Sequence, residues 1–118
     1  MRVAVIGRTQ MLLESARVIA EAGHIIPLVL TSPAAPHYAV GADAFEAFAK
    51  DVGATYRDGW DLDTSSVVER VSGYACDVAI SVNWKTRICA PVIEAFAHGI
   101  VNCHAGDLPR YRGKAAVN

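Results

Sequence analysis

The chain has 118 residues, room for one domain and its core but little for a complete enzyme with two substrates. Hydrophobic residues make up 53% and charged residues 19%, which excludes a disordered chain. A formal net charge of -1 gives nucleic acid no support, and no apolar run approaches the roughly 20 residues of a membrane span.

Strand-length apolar runs alternate with helical patterns along the chain. This predicts an α/β fold, Rossmann-like, with an open, mostly parallel sheet and helices on both faces. Val3 to Ile6 reads as the first strand, too short and too soon interrupted by Arg8-Thr9-Gln10 for a signal peptide. Thr9 is placed to cap the first helix, whose Leu12, Ala16 and Ile19 keep helical spacing until Gly23. The second strand is expected over Pro27 to Thr31, with Pro27 at its start or on a free edge because it has no N–H for a ladder.

Ser32 to Gly41 reads as a loop, and Phe45, Phe48 and Ala49 as the buried face of a second helix ended by Gly53. A short strand near Thr55-Tyr56 leads into a turn at Asp58 to Asp61, anchored by Trp60. Asp63 or Thr64 then caps a third helix carrying Val67, Val68 and Val71 and ended by Gly73. Val78 to Asn83 is the fourth strand. Arg87 to Ala97 is the fourth helix, with Pro91 tolerable only in its first turn. Gly99 closes it, and Ile100 to Cys103 is the fifth strand. Gly113 to Asn118 resembles the opening of a further helix, so the chain is read as a fragment of a longer protein.

Cys76, Cys89 and Cys103 have no CxxC spacing, which argues against a metal cluster or a disulfide framework. They read as buried or half-buried thiols in a reducing cytoplasm. The first turn, Gly7-Arg8-Thr9-Gln10, has one glycine where a dinucleotide fingerprint needs three. Gly106 stands seven residues before Gly113-Lys114 instead of the five of a P-loop.

Ligands of open α/β sheets bind outside the carboxyl ends of the strands. There the fifth strand reads Ile100-Val101-Asn102-Cys103-His104. Strand alternation puts Asn102 and His104 on one face, with Cα atoms roughly 6.6 Å apart. The loop that follows, Gly106 to Gly113, holds Pro109, Tyr111 and two arginines, poor core material but suited to a site wall.

Asn102-x-His104 followed by Leu108-Pro109-x-Tyr111-Arg112-Gly113 resembles the signature of the 10-formyltetrahydrofolate-dependent formyltransferases, and the likeness covers essentially the whole chain. It implies transfer of a formyl group from 10-formyltetrahydrofolate to an amine, without a metal. Asn102 would donate to the oxygen of a tetrahedral intermediate. His104 would donate there too or move the amine's proton, imidazole being able to exchange protons near neutral pH. The family's third catalytic group, an Asp well downstream, falls beyond Asn118. The resemblance also implies a folate wall made of Asn83, Trp84, Lys85 and Thr86, with Leu108 and Pro109 completing it.

Arg8 and Thr9, at the end of the first strand, are candidates for the acceptor side, together with Asp107 and Tyr111. Gly106-Asp107 stands where the tRNA-directed members carry Ser-Leu, and Ala116 where they often carry Pro. Both departures, and the near-neutral charge, lean toward the sugar N-formyltransferases and a small nucleotide-linked amino sugar as acceptor. Methionyl-tRNA formylation and hydrolysis of the formyl donor are the alternatives within the family. A non-catalytic nucleotide-binding α/β domain is the alternative outside it. The expected partners are therefore a folate and a small amine, with no membrane, a cytoplasmic location and room for a homo-oligomer.

Overall fold

A computed structural model describes residues 1–32, 41–104 and 109–110. Five parallel strands form one sheet: β1 (Arg2–Gly7), β2 (Ile25–Thr31), β3 (Thr55–Asp58), β4 (Val78–Val82) and β5 (Ile100–Cys103), in the order β3-β2-β1-β4-β5. Four α-helices connect them: α1 (Gln10–Glu21), α2 (Ala42–Val52), α3 (Val68–Ser72), preceded by a 3-10 turn at Ser65–Val67, and α4 (Ala90–Glu94).

The alternation of each strand divides its side chains between two cores. Val5 and Val29 face Leu12, Leu13 and Ala16 of α1 and Phe45, Phe48 and Ala49 of α2. Ala4, Ile6, Leu28, Leu30 and Ala79 face the other way, onto Leu62, Val67, Val71, Val92 and Phe96 around α3 and α4. Helices therefore cover both faces, as the unbroken apolar strands predict. Each large aliphatic or aromatic side chain buried here contributes about 1.5–3 kcal/mol against solvent exposure. Among the described residues, no helix is long and apolar enough to cross a membrane.

The first two helices begin and end as expected. Thr9 has extended backbone, and its hydroxyl oxygen accepts from the Leu12 N–H at 3.2 Å, capping α1. Gly53 takes a φ of +75° and closes α2. Thr64, rather than Asp63, caps the turn before α3, accepting from the Ser66 N–H. Trp60 anchors its turn by packing on the α3-side core, with the Arg70 guanidinium 5.9 Å from its ring centroid.

Three local expectations need correction. β2 starts at Ile25, two residues before Pro27, and the proline lies inside it. The β1–β2 register passes from Arg2↔Ile25 to Ala4↔Leu28, so β2 carries one extra residue where Pro27 offers no donor. β3 pairs only from Leu28 onward, so the proline precedes that ladder. α4 spans Ala90–Glu94 instead of Arg87 to Ala97, since Pro91 must sit in the first turn and so fixes the start. Arg87 points instead to Asp63, with Nε 2.9 Å from the carboxylate. Finally, Cys103 is exposed where a buried or half-buried thiol was expected; its Sγ lies 3.7 Å from the sulfur of Met11 on α1. Residues 33–40 of the loop expected from Ser32 to Gly41, and the helix opening expected at Gly113 to Asn118, lie outside the described residues.

Tyr56 of β3, partly buried on the α2 side, makes the fold sensitive to alkali. Burial first, then the carboxylates of Asp58, Glu46 and Asp43, push its phenol from 10.0 up to about 12. The folded chain thus holds this proton more tightly than the unfolded one. Its contribution to stability is present below pH 10 and is lost as pH rises from 10 toward 12. Thermal unfolding followed across that window should show Tm falling more steeply in the wild type than in Tyr56→Phe. Parallel curves would count against the linkage.

Candidate active site

The sheet order reverses between β1 and β4: β2 and β3 are added on one side of β1, β4 and β5 on the other. Connections leave in opposite directions there and open a crevice at the carboxyl ends. Gly7 ends β1 with a φ of +143° and lies so close to β4 that a Cβ on it would come within 2.1 Å of the Val82 carbonyl oxygen. The next residue ties the two strand ends together. Arg8 donates its backbone N–H to the Val82 carbonyl at 3.4 Å and its Nε–H to the Asn83 carbonyl at 3.3 Å. Asn83 itself turns the chain out of β4 with a φ of +54°, a left-handed conformation that Asn tolerates better than most residues.

The folate-wall candidates divide by burial. Lys85 and Thr86 are exposed, as is Asn83. Trp84 is buried in the α3/α4-side core, and its indole Nε1–H has no hydrogen-bond partner among the described residues. An indole N–H normally finds an acceptor when buried, so this donor calls for an explanation. Pro109 is exposed in a turn, whereas Leu108, Asp107 and Tyr111 lie outside the described residues. On the acceptor side, Arg8 and Thr9 are half-buried. The Thr9 oxygen accepts from the Leu12 N–H in the α1 cap, which leaves its O–H proton and one lone pair.

Asn102 is the third residue of β5, and His104 follows the strand end. Ile100 packs toward the α3/α4-side core, so alternation puts Asn102 on that same face of β5. Cys103, one step out of phase, instead meets α1. Asn102 is exposed and His104 half-buried. In the sheet, Asn102 pairs with Ser81 of β4, which pairs in turn with Ile6 of β1. Sequence reasoning passed over Ser81. It is 1% exposed, and its Oγ has no partner among the described residues; the same holds for Ser32 Oγ just after β2. The available signal was one hydroxyl inside the apolar run Val78 to Val82. No group of three or more potential metal ligands occurs among the described residues.

Comparison with known proteins bears on the same fold and residues. A family model described as formyl transferase matches residues 1–118. The chain is 31% identical over 121 residues to a methionyl-tRNA formyltransferase of Caulobacter sp. (strain K31), covering 99% of this chain and 38% of that protein. A methionyl-tRNA formyltransferase of Lachnospira eligens is 28% identical over 120 residues, with 99% and 38% covered. Among solved structures, phosphoribosylglycinamide formyltransferase from Bacillus halodurans superposes with a TM-score of 0.70 at 17% identity, over 98% of this chain and 62% of that one. Glycinamide ribonucleotide transformylase 1 from Symbiobacterium toebii gives 0.67 at 19% identity, over 98% and 57%. At such identities the structural likeness carries the fold. The chain spans 38% of the length of the curated relatives named above.

Proposed function

Because the chain belongs to the formyl transferase family, we propose that it carries the formyl-binding part of an enzyme that moves a formyl group from 10-formyltetrahydrofolate to a primary amine on a small acceptor. In this reading residues 1–118 are the N-terminal portion of the catalytic domain. The observation that supports it is that Asn102 lies in β5 and His104 just past its carboxyl end, one strand from the β1/β4 crevice.

The chemistry follows from that placement. The acceptor nitrogen attacks the formyl carbon and negative charge grows on the formyl oxygen. The Asn102 amide N–H donates to that oxygen, an interaction that strengthens as charge develops. His104 donates to the same oxygen or takes the proton that the attacking amine must lose. The new C–N bond forms first and gives the tetrahedral intermediate; as this collapses, the bond from the formyl carbon to the donor nitrogen breaks, and the amine's proton ends on that nitrogen. The residues on the β4 side fit a folate. Asn83 to Thr86 offer backbone groups and side chains at the loop, and the unpaired Trp84 Nε1–H offers a donor below it. Leu108 and Pro109 would close the wall, and Arg8, Thr9, Asp107 and Tyr111 would face the acceptor.

The acceptor we favour is a nucleotide-linked amino sugar, on the Gly106-Asp107 and Ala116 departures and the net charge of -1. A second reading, the aminoacyl amine of methionyl-tRNA, is favoured by the names of the curated relatives. The full-length protein incubated with 10-formyltetrahydrofolate and each amine in turn should release tetrahydrofolate and yield a formylated amino sugar, followed by mass spectrometry. Product with methionyl-tRNA alone would select the second reading. Formate released at one rate whatever the amine would mean hydrolysis and end the transferase proposal.

A further inference from the structure

Ser81 stands out among the side chains around Asn102. Across the sheet, one row on the α3/α4 face runs Leu30, Ile6, Ser81, Asn102, each paired in register with the next. Paired residues of neighbouring parallel strands, about 4.8 Å apart, point to the same side, so Ser81 sits between an aliphatic side chain and an amide. Its neighbour two residues back, Ala79, is fully buried and carries no polar atom. An alanine at position 81 would also suit the core. The chain holds a hydroxyl there instead, 1% exposed and with no hydrogen-bond partner among the described residues. A buried unpaired hydroxyl costs stability, and such a group in a folded protein calls for an explanation.

Asn102 supplies one. An amide that must present its N–H to a developing oxyanion has an oxygen of nearly the same size at the other end, and only a donor to that oxygen fixes which end faces the substrate. In its row the Ser81 hydroxyl is the polar group beside Asn102. We propose that Ser81 is a positioning residue: its O–H donates to Oδ1 of Asn102 as the formyl oxygen engages the amide N–H. Contacts of this kind often tighten only when substrate is bound, which accounts for a hydroxyl left unpaired here. The proposal rests on Asn102 being the oxyanion donor.

Three variants of the full-length protein separate the two ideas: Ser81→Ala, Asn102→Ala and the double variant. Ser81→Ala should lower kcat about tenfold, the loss of one hydrogen bond in the transition state, with the KM for the formyl donor unchanged. Tm should hold or rise, because the change removes an unpaired buried hydroxyl. In the Asn102→Ala background, Ser81→Ala should do nothing further, since its effect passes through the missing amide. If Asn102→Ala is crippled but Ser81→Ala turns over normally, the positioning role falls and the oxyanion assignment stands. If Asn102→Ala turns over normally, the assignment falls and takes the positioning role with it. An equal loss in both backgrounds, together with a lower Tm, would mark Ser81 as merely structural and overturn the proposal.

Discussion

His104→Ala in the full-length protein should slow formyl transfer by about a thousandfold while leaving the protein folded. The size follows from the role proposed for the imidazole. A positioned general acid or base contributes about 10²–10⁴-fold, and an oxyanion donor about 10²–10³. One group acting in either capacity at the formyl carbon therefore supplies about three powers of ten. The fold should survive because His104 lies past the end of β5, half-buried, at the rim of the sheet and outside both hydrophobic cores. Truncation there should cost about 1 kcal/mol, against the larger penalties seen when a core cavity opens. Single-turnover rates with saturating donor isolate the chemical step, and circular dichroism reports the fold. A folded His104→Ala protein with wild-type turnover would remove the imidazole from the mechanism. A variant that fails to fold would show instead that His104 is a structural residue.

The strand that carries Asn102 is legible in the sequence, because the run Ile100 to Cys103 follows the break at Gly99. Helical spacing, i to i+3 and i+4, puts Phe45, Phe48 and Ala49 on one face of α2, and all three are buried. Caps are equally local, hence the agreement at Thr9 and Gly53. What depends on pairing between distant segments was not legible. The strand order, the extra residue that accommodates Pro27, and the placing of Ser81 beside Asn102 are all properties of register. Neither strand states its register alone. Trp84 shows the limit most plainly. The resemblance implies a place for it in the folate wall, while the ring is buried in the α3/α4-side core.

Gly7→Ala should be the most damaging of the small substitutions, and its cost tests whether the crevice is built on backbone contact. Gly53→Ala is the control. Gly53 also has a positive φ, +75°, but a Cβ there would meet nothing within 4 Å, so that change should cost about 1 kcal/mol of conformational strain. At Gly7 the same strain is joined by collision: the added carbon would lie 2.1 Å from the Val82 oxygen, 3.0 Å from its carbonyl carbon and 2.8 Å from Leu12 Cδ2. Leu12 can change rotamer. Val82 is less free, because it is the register partner of Gly7 in the β1–β4 ladder and accepts the Arg8 N–H that holds the two strand ends together. Strain and overpacking of this kind each cost about 1–3 kcal/mol, so a combined loss of about 3 kcal/mol or more is expected. For a domain of this size that corresponds to a Tm lower by about 12 °C or more. Urea and thermal unfolding of the two variants, measured side by side, should therefore separate them widely. If Gly7→Ala proves no more costly than Gly53→Ala, β1 and β4 can part without penalty. The close approach that sets Arg8 beside Asn83 would then not be a requirement of the fold.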